Sequence, residues 1–235
     1  MNDKFISVPL CTLSMHDNYK QLTNLIMDYG IVEFSKKDTW RGEIENYDED
    51  TTDENFALWA FERVFNLKGV DGKTLINNHS IVEDHIRDFE SLYGKDAYFR
   101  IGMSLLFDAY KGEFSEREFR VYIAIRSVLG ANSKYSRITM DRISYRMYGC
   151  KSLEAFQESN ITNSFSHKQI KNSINKLIDR NLIVSFTNRN RFTYYSTRLS
   201  LNELIEAVAM EVKKKKAKRP SNKEIQNKIN ELVNA

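Results

Sequence analysis

Between Ser166 and Leu182, cations and amides recur at helical spacing beside an apolar stripe. His167, Lys168, Lys171, Asn172 and Asn175 fall on one helical face, opposite Ile170, Ile174, Leu177 and Ile178. Lysine can donate to guanine and asparagine can pair bidentately with adenine, so such a face can read base edges in the major groove. Lys168 and Lys171 can instead hold phosphates, which positions a protein without reading sequence. Downstream, Arg189 and Arg191 flank Asn190 between two β-prone runs, and an arginine on a hairpin can enter a narrow A·T-rich minor groove. Upstream, Arg137, Arg142 and Arg146 flank or occupy a short helical segment, with Arg142 and Arg146 four apart on one face as candidate phosphate contacts. Further on, Lys213, Lys214, Lys215 and Lys216, with Lys218 and Arg219, form a cluster that can grip phosphates without sequence preference. Each feature has an ordinary counterpart: a solvated helix face, a polar turn, a surface arginine paired to Asp141, or a solubilising run.

The charge balance points the same way. Residues 1–110 hold 11 Lys/Arg against 20 Asp/Glu, a net −9, and residues 111–235 hold 24 against 12, a net +12. A basic half suits a polyanion, because Lys and Arg displace condensed counterions from nucleic acid; an acidic half fitting against a basic half within the chain is the alternative. No catalytic centre stands out, and the chain is not expected to be an enzyme or to need a cofactor or metal. His79, Glu83, Asp84, His85 and Asp88 crowd ten residues, but the two histidines do not converge on one helical face and no HExxH pattern occurs. The acidic stretch Glu43–Glu54 lacks the glycine and spacing of a calcium loop. Cys11 and Cys150 are too few for a disulfide framework or a cysteine zinc site, which predicts a reduced, cytoplasmic setting. The opening residues lack the pattern of a secretory leader, and the longest apolar runs are too short to span a bilayer.

The elements that must hold the DNA-facing residues begin at Ser115. Ser115 with Glu118 forms a capping-box pair, and Val121, Tyr122, Ile125 and Val128, with Phe119 and Ile123 on a second side, predict a helix central to its domain. Tyr135 to Thr139 predicts a short strand, Thr139 caps a helix to Gly149, and Leu153–Gln157 predicts an extra helical turn. Ser166 with Gln169 caps the helix of the DNA-facing residues. Leu182 to Thr187 and Arg191 to Thr197 predict two strands around the turn Asn188–Asn190.

In this order the segment Ser115–Ser200 resembles the winged helix-turn-helix superfamily of DNA-binding domains, over about 85 of the 235 residues. Glu118–Val128, Thr139–Gly149 and Ser166–Leu182 match its three helices, and Ile170–Ile183 is similar to the recognition helix and its exit into the wing. Within the superfamily the chain is most similar to replication initiators and transcription regulators of plasmids and phages. Cys150 to Phe165 is longer than the usual turn between the second and third helices. The resemblance implies double-stranded DNA as partner; the alternative is a structural or adaptor protein that uses the fold for protein contacts.

Outside that segment the pattern is also mainly α. Helices are expected at Tyr19–Tyr29 with Gly30 as stop, at Phe56–Val64 ending near Gly69, at Thr74–Tyr93 before Gly94, and at Ala97–Tyr110 before Gly112. Leu201, Leu204, Ile205 and Val208 predict a helix leading into the lysine run. Ser221 and Glu224 cap a last one with Ile225, Ile229, Leu232 and Val233. The expected organisation is an acidic helical domain over 1–112, a winged helix over 113–200 and a basic helical tail over 201–235. A homodimer or protein partner is expected through the N-terminal domain or the 221–235 helix.

Overall fold

The computed structural model describes residues 5–15, 18–35, 53–59, 62, 71–129, 133–159, 161 and 164–217. The acidic stretch before Asp53, the expected helix end near Gly69, the stop at Gly130, the basic pair Lys218–Arg219 and the helix after Ser221 lie outside them. The described residues are mainly helical with two small antiparallel sheets.

The first sheet pairs β1 (Phe5–Pro9) with β2 (Tyr98–Gly102), in the register Ile6 with Ile101 and Val8 with Phe99. Both strands alternate exposed and buried, so these four side chains point inward together. The helix expected from Ala97 is therefore two elements: β2, then α4 (Met103–Tyr110). A 3-10 turn, Leu10–Ser14, leads to α1 (Tyr19–Ser35), which is joined by α2 (Asp53–Trp59) and α3 (Gly72–Tyr93). Asp71 caps α3 by accepting from Thr74 N at 2.8 Å, and Gly94, with φ 71°, ends it.

Gly30 does not end α1, which continues to Ser35. A side chain there would collide with Ile6 Cδ1, so the glycine lets the helix lie against β1.

Helix α5 (Glu116–Leu129) is central: Phe119, Val121, Ile123, Ala124 and Ile125 are fully enclosed. It packs on β2, α6 (Met140–Arg146) and α8 (His167–Asp179). One apolar cluster runs through it, from Ile6, Phe99 and Leu106 on one side of Gly112 to Ile143, Ile170, Leu177 and Tyr195 on the other. The core is thus continuous across the expected boundary at residue 112. Arg120, 3% exposed, reinforces the junction: Nε donates to Glu116 at 2.8 Å, and Nη1 donates to the carbonyls of Leu13 (2.8 Å) and Met147 (3.1 Å). Gly149, with φ 83°, brings the end of the α6 region against Leu10 O, where a side chain would be crowded at 3.1 Å.

The second sheet has the order β3-β5-β4, from β3 (Tyr135–Arg137), β4 (Val184–Thr187) and β5 (Thr193–Ser196). Between α6 and α8 lies α7 (Leu153–Glu158), the expected extra turn, capped by Ser152. Tyr195 packs into the main core, while Tyr194 joins a separate cluster with Leu204 and Val208 of α9 (Leu201–Ala217). Ser200 accepts from Glu203 N at 3.4 Å and Glu203 Oε2 accepts from Ser200 N at 2.8 Å, a capping box at the start of α9.

Candidate nucleic-acid interface

Helix α8 starts in a complete capping box. Ser166 Oγ accepts from Gln169 N at 3.3 Å, and Gln169 Oε1 accepts from Ser166 N at 2.9 Å. Ile170, Ser173, Ile174 and Leu177 are buried, whereas Ile178 is only partly so. On the other side His167, Lys168, Lys171, Asn172 and Asn175 are all exposed. Two neighbours shape this face. Asp141 Oδ1 stands 3.2 Å from His167 Nε2, which sets a carboxylate beside the start of α8. Lys176 turns away, toward Glu118 at 3.0 Å. Burial pushes the Glu118 carboxyl up, but the bonds from Ser115 and then the contact with Lys176 outweigh it and hold the group below its usual range. The helix leaves through Asn181, whose φ of 57° turns the chain while Leu182 N donates to Leu177 O at 3.0 Å.

The hairpin tip is built by Asn188. Its Oδ1 accepts from the amides of Asn190 and Phe192, both at 3.0 Å, and its carbonyl accepts from Arg191 N at 2.9 Å. Arg191 takes φ 60°, and Arg189 and Arg191 are both exposed. The Arg137 guanidinium lies 3.4 Å from the centre of the Phe192 ring, so it is stacked on the base of this tip. That stacking, absent from the sequence reading, fixes a cation between β3 and the hairpin.

The two arginines of α6 are not equivalent surface contacts. Thr139 caps α6 by accepting from Arg142 N at 3.2 Å. Arg142 is half-buried, with Nε enclosed and unpartnered. Arg146 is 8% exposed, and its Nε and Nη1 are enclosed without a partner. Burial, then the neighbouring Arg142, holds the Arg146 guanidinium below its usual range. The expectation that Arg146 projects toward phosphate is therefore corrected. Its chain neighbours Met147, Gly149 and Cys150 are buried with it, where the end of the α6 region meets the rest of the core.

On α9, Lys213 and Lys214 are exposed. Lys215 and Lys216 continue the helix, and their side chains lie outside the described residues. Cys11 and Cys150 are free and buried, and burial pushes both thiols up.

His79 and Glu83 do share a face of α3, and α1 supplies a third group, Glu33. His79 is buried and stacks on Tyr29 at 5.0 Å; its Nε2 is 2.8 Å from Glu33 Oε1 and its Nδ1 is 3.5 Å from Glu83 Oε2. The carboxylates face opposite ring nitrogens, so the imidazole acts as a strut between α1 and α3. Among the described residues no helix is long and apolar enough to cross a membrane.

Comparison of the chain with protein-family models, with curated proteins and with solved structures gives no match in any of the three.

Proposed function

We propose that the chain is a non-catalytic, sequence-directed double-stranded DNA-binding protein, with residues 113–200 acting as a winged helix. Replication initiation or transcription regulation of a plasmid or phage is the setting its sequence resembles. The observation that carries this reading is the two-sided character of α8, followed at once by the hairpin. Ile170, Ile174 and Leu177 are buried on one side, and the five polar residues from His167 to Asn175 are exposed on the other. In this reading α8 lies in the major groove, with Asn172 and Asn175 on adenine edges and Lys168 and Lys171 on guanine or phosphate. The hairpin carries Arg189 and Arg191 to the flanking minor groove or backbone, and Arg137 adds charge at its base. Arg142 lies at the rim of this surface, and Lys213–Lys216 extend the cationic surface along α9.

A second reading, a protein adaptor in a cytoplasmic assembly, is favoured by one feature. On α9, Leu201 and Ile205, four apart on one face, are 48% and 36% exposed, a small apolar patch suited to a second copy or another protein. Fluorescence anisotropy of the full chain on labelled duplexes at several salt concentrations separates the two. DNA binding predicts affinity that falls linearly with the logarithm of salt, by about 0.9 in slope per phosphate held. An adaptor shows no saturable duplex binding at any salt.

A further inference from the structure

A second surface feature stands apart from the exposed side of α8. A cleft of about 300 Å³ opens where β1, β2, α4 and α5 meet the chain leaving α8 and β5. Phe5, Leu105 and Leu182 give it apolar walls, and Asp108, Arg126 and Arg198 are its charged groups.

Arg126 is the unusual member. It is only 4% exposed, yet its two hydrogen bonds go to neutral acceptors: Nε to Arg100 O at 3.1 Å and Nη1 to Thr197 Oγ1 at 2.7 Å. Neither bond uses Nη2. Burial, and then the nearby Arg198 and Arg100, hold this guanidinium below its usual range, offset in part by Tyr122. Among the described residues Arg126 makes no ion pair, not even with Asp108 across the same cleft. A guanidinium taken out of water among other guanidiniums, with no anion against it, is electrostatically incomplete. The planar fork of donors on a guanidinium also matches two phosphate oxygens at once.

We propose that this cleft binds a small phosphomonoester with an apolar, planar body, of the size and chemistry of a nucleoside monophosphate. The phosphate sits against Arg126 Nη2 and Arg198. The ring packs on Phe5, Leu105 and Leu182, and Asp108 accepts a hydrogen bond from a hydroxyl or amino group of the ligand. A bare phosphate leaves the apolar walls wet, and an uncharged nucleoside leaves Arg126 unpaired, so neither fragment alone satisfies the site. The proposal does not rest on the DNA-binding reading.

The test is calorimetric titration of the full chain with AMP at constant ionic strength, beside inorganic phosphate, adenosine and an unlabelled duplex as competitor. Saturable binding of one AMP per chain is expected, with phosphate and adenosine each weaker by about tenfold or more. Arg198→Ala, at an exposed position, should weaken AMP by about tenfold, and Phe5→Ala by a smaller factor. Arg126→Gln should abolish binding; if that variant fails to fold, Arg198→Ala carries the test. Absence of saturation with AMP, AMP no tighter than phosphate, or an unchanged affinity in Arg198→Ala overturns the proposal. So does displacement of AMP by the duplex, since the anion would then be sitting on a DNA surface.

Discussion

Helices α6 and α8 both carry cations, and the two present them differently. On α8 the cations and amides stand across the helix from Ile170, Ile174 and Leu177, so they reach solvent. On α6, Arg146 is enclosed by the protein, with two guanidinium nitrogens lacking partners. What packs over each charge, and not only its place on its own helix, therefore decides whether it is available to a ligand. Charges on α8 should affect affinity with little effect on stability, and the enclosed charges should do the reverse.

The largest effect is expected at Arg120, an enclosed arginine with three hydrogen-bond partners. Arg120→Ala leaves the carbonyls of Leu13 and Met147 without their donor and frees the α6 region from α5. A loss of about 3 kcal/mol is expected in chemical denaturation. A loss below about 0.5 kcal/mol would mean that the junction is held by the apolar core alone.

Asp28 is the enclosed counterpart in the acidic half. Burial pushes its carboxyl up to about 6, although Asn78 Nδ2 donates to it at 2.6 Å. The folded chain keeps this proton at pH values where the unfolded chain, near 3.8, has lost it. The contribution is therefore fully present below about pH 4 and is lost as pH rises through about 6. Asp28→Asn should remove that slope and raise stability at pH 7 by on the order of 2 kcal/mol. Unfolding curves between pH 4 and 8 that stay parallel for the two proteins would contradict it.

Next comes the exposed pair. Lys168→Ala combined with Lys171→Ala should lower the salt slope of duplex binding by about 2 if both hold phosphates, with stability changed by less than about 0.5 kcal/mol. The smallest effect is expected at Arg146. Arg146→Met replaces an enclosed charge with two unpartnered nitrogens by an apolar chain of similar length and should stabilise by about 1 kcal/mol without moving duplex affinity. If Arg146→Met weakened duplex binding as much as the lysine pair does, the contrast between the two helices would collapse.

What was legible in the sequence was local. The capping pairs Ser115–Glu118 and Ser166–Gln169 and the cap at Thr139 need only three residues of context, and all three form. The buried stripe of α8 follows from its period, with Ser173 added because a small side chain fits the same face. The strand β2 reads locally as helix because its partner, β1, lies some ninety residues earlier, and pairing at that separation leaves no local mark. Gly30 reads as a stop when only the helix is considered; its reason is the approach of Ile6. The stacking of Arg137 on Phe192 and the solitary burial of Arg126 likewise depend on elements distant in sequence.

The most direct test of the central claim separates reading from gripping on α8. A duplex selected by the full chain from a randomised pool is compared with its scrambled counterpart at several salt concentrations, for the parent chain, Asn172→Ala and Asn175→Ala. The account predicts that at least one variant loses about 1 to 3 kcal/mol of preference at one or two base positions, with its salt slope unchanged. Equal preference in all three proteins, or a parent chain that does not distinguish the two duplexes, would contradict it.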